Sequence, residues 1–257
     1  MSRITVMLEK TKIHVTIILA VLVGLVLVAC GSSDSQGSEL VPPSDSNVQS
    51  SVSDKDDAAV TLPKNSSFSI KFIDVGQADA ALVECDGHYM LIDGGNKADS
   101  NLIYSVLKKA RVTHLDIVVG SHAHEDHIGG LPGAFNYTNA SLTLCPVTNY
   151  DSDAFRDFKK YADRNGGGIV VPCVGDTYPL GSAVVTVIGV NGGIDPNNTS
   201  IVLKIQYGET SFLFTGDAER EAEQAIINSG FDRSATVLKV GHHGSDTSTS
   251  YLFLRDI

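Results

Sequence analysis

The segment His122-Ala-His124-Glu-Asp126-His127 constrains this chain more than any other. It puts four candidate metal ligands within six residues, directly after the apolar run Leu115-Asp-Ile-Val-Val119. Such a run reads as a short buried strand, so the ligands are expected in the loop at its carboxyl end. His122 and His124 stand two apart in extended chain, project to the same side and can grip one cation. Asp126 and His127 follow where the chain turns toward a helix, and suit a second, adjacent cation. Imidazole with carboxylate is the ligand mix of zinc, iron or manganese. A solvated polar loop rich in His is the plain alternative, and clustering this dense argues against it.

The first sixty residues differ from the rest. Lys10 and Lys12 precede an apolar run from Ile13 to Ala29 that ends in Leu27-Val-Ala-Cys30-Gly31. A basic flank, an apolar core and small residues before a cleavage point make residues 1–29 a secretory signal peptide. The Leu-Val-Ala-Cys ending resembles the bacterial lipobox, which makes Cys30 the lipidated first residue of the mature chain. An uncleaved membrane anchor is the alternative. Both place the remainder outside the cytoplasmic membrane, held at its surface. Residues 30–67 are rich in Ser, Asp, Gly and Pro without apolar period, the composition of a disordered tether. A single folded domain is expected over 68–257.

The formal net charge is −11, and removing residues 1–29, with three basic and one acidic residue, takes it to about −13. A general basic surface for nucleic acid is thus excluded. A polyanionic substrate is not, because two divalent cations neutralise a site locally. Cys85, Cys145 and Cys173 match no zinc ribbon; one disulfide and buried free thiols are both open.

Strands are expected over 68–74, 80–84, 89–92, 115–119, 184–190, 200–207, 210–214 and 236–240, and helices over 99–110, 154–165 and 219–229. Many strands in two groups, each group followed by helices, suit two mixed sheets packed face to face with helices outside. Residues 136–153 and 189–197 are expected to be specificity loops.

Further polar stations fall just after strands. Asp217, in Phe214-Thr-Gly-Asp217, either bridges two cations or caps the helix that follows. His242 and His243 follow the strand over 236–240; one is expected to be a ligand and the other a proton donor, and the doublet does not say which. Asp74 and Asp93 each end a strand before Gly, which suits a turn. Asp93 also suits hydrogen bonding that holds the His loop.

Together these residues resemble the metallo-β-lactamase fold superfamily: His122-x-His124-x-Asp126-His127, Asp217 and His242-His243 match its ordered metal motifs. The similarity extends to its ComEC-like branch, the extracytoplasmic hydrolase of bacterial DNA uptake (competence) and its stand-alone relatives. It is carried by Phe72-Ile-Asp-Val-Gly-Gln-Ala-Asp-Ala80, Leu91-Ile-Asp-Gly-Gly95, Ser121-His-Ala-His-Glu-Asp-His127, Asn198-Thr-Ser-Ile-Val-Leu203, Phe214-Thr-Gly-Asp217 and Leu238-Lys-Val-Gly-His-His-Gly-Ser245. The resemblance implies an α/β fold, an αββα four-layer sandwich, with relatives continuing past Ile257, so that the last layer is expected to be truncated or minimal. It implies hydrolysis at a centre of two divalent ions, Zn or Mn. His122 and His124 hold the first, with Asn198 standing where the superfamily has a further His; Asp126, His127 and His243 hold the second, and Asp217 bridges. Asp126 or His242 handles protons, and Asp74 and Asp93 support the ligands. The implied activity is that of a phosphodiesterase or nuclease on DNA. A hydrolase of phosphocholine or other esters on a cell-wall polymer, and a metal-binding module without turnover, are the alternatives. No protein partner is readable.

Overall fold

The computed structural model describes residues 61–257. The expected signal peptide, Cys30 and most of the expected tether therefore lie outside the described residues. Among those described, no helix is long and apolar enough to cross a membrane.

The first sheet has six strands in the order of the chain: β1 (Phe68–Phe72), β2 (Ala81–Cys85), β3 (His88–Ile92), β4 (Leu115–Val119), β5 (Ala140–Leu144) and β6 (Ile169–Val170). Pairing is antiparallel across β1–β2–β3 and parallel from β3 to β6. Helices α1 (Ser100–Ala110), α2 (Glu125–Ile128), α3 (Leu131–Tyr137) and α4 (Asp153–Asn165) lie in the connections. The second sheet has five strands, ordered β11-β10-β9-β8-β7: β7 (Thr177–Leu180), β8 (Ala183–Gly189), β9 (Val202–Tyr207), β10 (Thr210–Phe214) and β11 (Val237–Lys239). Helices α5 (Arg220–Ser229) and α6 (Tyr251–Leu254) belong to this half.

Alternation along the strands sorts the side chains into three apolar layers. On β3, Leu91 packs with Ile103, Leu107, Phe155 and Phe158 of the helices, while Met90 and Ile92 turn the other way. Those two meet Val185 and Val187 of β8 and Leu203 and Ile205 of β9 between the sheets. On the far side Ile188, Val202 and Leu213 pack against Ala222 and Ile226 of α5 and Phe253 of α6. Helix, sheet, sheet, helix is the four-layer sandwich that the resemblance implied.

Three expectations need correction. The folded region begins before residue 68: Ser66 Oγ and the Ser67 amide donate to the Asp86 carboxylate at 3.1 and 2.8 Å. The first strand ends at Phe72, and Asp74 falls in an exposed turn, its Oδ1 accepting from the Gly76 amide at 3.2 Å. Residues 136–153 are not one loop; they include the end of α3 and the interior strand β5. Cys85 and Cys145 are buried free thiols and Cys173 is exposed; burial pushes the Cys145 thiol up to about 12.

Candidate metal centre

The site gathers where β3, β4, β10 and β11 end on the same edge of the sandwich. Asp93 follows β3, Ser121 and His122 follow β4, Asp217 follows β10 and His242-His243 follow β11. The carboxyl ends of strands leave their last backbone groups and side chains pointing out of the sheet, where ligands collect.

The loop from Gly120 to Gly130 docks on the end of β3 through backbone. The Gly94 amide donates to His127 O at 2.7 Å, and the Gly130 amide to Gly95 O at 3.0 Å. A Cβ at Gly130 would stand 1.9 Å from Gly94 O, so no other residue lets the chains approach this closely. Asp93 fastens the loop from below. Its Oδ1 accepts from the Ser121 amide at 2.7 Å, and its Oδ2 lies 2.9 Å from His127 Nδ1. Asp93 reaches this position with a φ of 57°, a left-handed conformation that a non-glycine residue keeps only where surroundings enforce it.

His122 and His127 are fully buried and Asp217 is 2% exposed. Their rings and carboxylate converge: His127 Nε2 is 3.2 Å from Asp217 Oδ1, and His122 Nε2 is 3.8 Å from Asp217 Oδ2. The His124 ring lies edge-on to His122, with centroids 4.7 Å apart. From the second sheet, His243 Nε2 is 3.2 Å from Asp126 Oδ2 and 3.6 Å from Asp217 Oδ2. His242 Nε2 is 3.8 Å from the same Asp217 oxygen, while its Nδ1 faces Glu219 Oε1 at 3.2 Å and Thr247 Oγ1 at 3.1 Å.

Four of these buried atoms have no aligned hydrogen-bond partner: His122 Nε2, His127 Nε2, Asp217 Oδ1 and His243 Nδ1. A buried donor or acceptor left unpaired costs about 1–3 kcal/mol. Imidazole nitrogens converging on a carboxylate are the donor set of a divalent cation such as zinc or manganese, and the residues present fit one. One compact group, Asp79, His127, Asp217 and His243, has ligand atoms all within 4.8 Å of one another.

The same crowding sets the protonation states of the protein alone. Burial and the neighbouring imidazoles push His122 well below the ordinary histidine value. Burial works against a charge on His127 too, but the Asp93 and Asp217 carboxylates outweigh it and hold that ring well above the ordinary value. Asp126 and then Asp79 lift His243 to about 9. Burial raises Asp79, yet His243 and Lys239 prevail and bring it down to about 2.

Two site residues behave otherwise than the sequence suggests. Asn198 is buried at the edge, but its Oδ1 accepts from the amides of Glu219 at 3.0 Å and Ala222 at 3.2 Å. Both lone pairs are thus engaged in capping α5, and the oxygen has no further capacity for a cation. Asp74 points to its own turn. Asp79 and Lys239, in contrast, escaped the sequence reading of the site: Lys239 Nζ stands 2.9 Å from Asp79 Oδ2. The signal available was only that both lie in motifs carrying the resemblance.

Paired sheets with a buried histidine–carboxylate edge define a metal-dependent hydrolase of the sandwich type. Comparison agrees: the family model described as Metallo-beta-lactamase superfamily matches residues 73–255, and the chain belongs to that superfamily. It is 27% identical over 209 residues to ComE operon protein 3 of Bacillus subtilis, covering 73% of this chain and 27% of that one. It is 26% identical over 210 residues to Competence protein ComA of Neisseria gonorrhoeae, covering 76% and 26%. Zinc phosphodiesterase ELAC protein 1 of Bos taurus is 33% identical over 85 residues, 32% of this chain and 23% of that protein. The chain spans about a quarter of the length of these curated relatives.

Proposed function

We propose that this chain is a phosphodiesterase or nuclease of the bacterial cell envelope, anchored through a lipid on Cys30 and acting on DNA or another phosphodiester. The observation that carries the reading is the convergence of the unpartnered buried atoms His122 Nε2, His127 Nε2 and Asp217 Oδ1 on one strand-end edge, with His243 Nε2 3.6 Å from the same carboxylate. Similarity to competence proteins and to a zinc phosphodiesterase directs the substrate class toward phosphodiesters.

His122 and His124 would hold one cation, Asp126, His127 and His243 a second, and Asp217 would reach both. When bound, such a pair lowers the pKa of water and stabilises the entering and leaving oxygens of a phosphoryl displacement. The residues supply the rest. Asp93 fixes which nitrogen of His127 faces the centre. Asp126, partly exposed and beside His243, would take up a proton released during attack. His242, held at Nδ1 by Glu219 and Thr247, faces Asp217 with Nε2 and would give a proton to the leaving oxygen.

The test is hydrolysis of bis-p-nitrophenyl phosphate by the purified chain with zinc or manganese, beside His124→Ala and Asp217→Ala. Metal-dependent turnover is expected, with losses in both variants beyond the ~10–100-fold typical of outer-shell changes. Absence of turnover from folded, metal-loaded protein would reject the phosphodiester reading, and phosphocholine esters would be assayed next.

A further inference from the structure

Two histidines of the site have carboxylates behind them: His127 is hydrogen-bonded to its carboxylate, and His243 lies close to its own without being aligned to it. Behind His127, Asp93 Oδ2 lies 2.9 Å from Nδ1, and its other oxygen is pinned by the Ser121 amide at 2.7 Å. Behind His243, Asp79 Oδ1 lies 3.4 Å from Nδ1, and its other oxygen is pinned by Lys239 Nζ at 2.9 Å. In each case Nε2 is the nitrogen that looks toward Asp217, at 3.2 Å from His127 and 3.6 Å from His243.

We infer that Asp79 and Lys239 form a positioning pair for His243: Asp79 accepts the Nδ1 proton and so reserves Nε2 for a cation, and Lys239 holds Asp79 in place. This rests on His243 being a ligand, the reading proposed above.

Several features support a built device over a casual surface ion pair. Asp79 and Lys239 are only 13% and 24% exposed at the side chain. The backbone of Asp79 is itself tied into the ligand loop, its amide donating to Asp126 O at 3.2 Å and its carbonyl accepting from the Gly95 amide at 2.9 Å. Lys239 Nζ also donates to Val240 O at 3.0 Å, two residues before His242, so the lysine bridges the Asp79 loop to the turn that carries the histidines. The pair joins the two sheets across 160 positions of sequence. Lone lysines beside an acidic site have a second obvious use, direct contact with substrate phosphate, and the two roles predict different measurements.

The experiment is a calorimetric titration of the full chain with Zn2+ alone, comparing wild type, Asp79→Ala, Lys239→Met, the double variant and Lys239→Arg. Asp79→Ala is expected to weaken one class of bound ions about 10–100-fold without removing it, as loss of a carboxylate behind a ligating histidine does. Lys239→Met is expected to weaken the same class by a smaller factor. The double variant should be no weaker than Asp79→Ala, because Lys239 acts through Asp79. Lys239→Arg should restore most of the affinity. In zinc-loaded protein, nitrogen NMR should find the proton of His243 on Nδ1, and on the same atom in Lys239→Arg.

Complete loss of one ion class in Asp79→Ala would make Asp79 a direct ligand and overturn the inference. Unchanged zinc affinity in Lys239→Met, with weaker substrate binding instead, would overturn it in favour of a phosphate contact. Should Asp79→Ala fail to fold, the Lys239→Met and Lys239→Arg titrations decide alone. Because the readout is zinc affinity and tautomer, it stands whether or not phosphodiesters prove to be the substrate.

Discussion

The two sheets contribute unequal halves to the metal centre. The half from the first sheet, His122 to His127, is sunk in the sandwich edge and fastened by backbone bonds, Gly94 to His127 and Gly130 to Gly95, and by the Asp93 carboxylate, which accepts from the Ser121 amide. The half from the second sheet, His242 and His243, follows β11, a three-residue strand paired only with β10. Its histidines are half-buried, both sit at left-handed φ (49° and 52°), and their rings are oriented by side chains of Asp79, Asp126, Glu219 and Thr247. Two consecutive non-glycine residues in that conformation cost of order 1–3 kcal/mol each, so the surrounding contacts must hold them there. Backbone bonds and one buried carboxylate build the first half; half-buried side-chain charges build the second. The second half should therefore be the one whose stability responds to pH near neutrality.

The largest effect expected from this contrast is on Asp93. Asp93→Ala takes from buried His127 one of its two carboxylate partners, Asp217 remaining, and breaking a buried pair of this kind costs up to about 3–5 kcal/mol. Urea unfolding of metal-free protein should show that loss for Asp93→Ala and a distinctly smaller one for Asp79→Ala. Equal losses would erase the distinction between the halves.

A pH effect of intermediate size belongs to the second half. His243 is raised to about 9 in the folded protein, against an ordinary value of 6.5. Its contribution to the stability of the metal-free chain is therefore fully present below about pH 6.5 and is lost as pH rises through about 9. Asp79, lowered to about 2, behaves oppositely: its contribution is present above about pH 4 and lost as pH falls through about 2. A cation must displace the proton on His243, so zinc affinity should climb between pH 6.5 and 9. Competition titrations against a chelator check this, and a flat profile would place the proton elsewhere.

Asn198→Ala gives the smallest effect. Loss of a helix cap costs about 1 kcal/mol, and thermal unfolding should show it while the number of bound ions stays unchanged. A change in ion count would return Asn198 to the ligand set.

Most of the architecture is legible in sequence because its elements carry clear periods. Helices α1, α4 and α5 show apolar residues at helical spacing, and β8 to β10 alternate or run apolar between turn residues. The elements that escape are those whose reasons are tertiary. Helix α3 contains Pro132 and Gly133, which read as loop; the proline sits in the first turn, and Gly133 lets the helix approach Ser100 O, where a Cβ would stand 1.9 Å away. Strand β7 carries Pro179, tolerated because the strand lies at the sheet's edge.

The site divides in the same way. The convergence of His122, His127 and Asp217 is readable because polar residues directly after apolar strands announce themselves. Asn198 is not, since its partners lie 21 and 24 residues on, at the start of a helix that only the folded chain brings over it. Asp79 looks like a turn residue until Lys239 and His243 arrive from the other sheet.

The most direct measurement is anomalous diffraction from crystals grown with zinc or manganese. Metal density is expected in contact with Nε2 of His127, Nε2 of His243 and a carboxylate oxygen of Asp217, with Asp93 and Asp79 on the opposite nitrogens. Density contacted by Asn198, or by Nδ1 of His243, or none at this edge, would contradict a centre assembled from both sheets in this way.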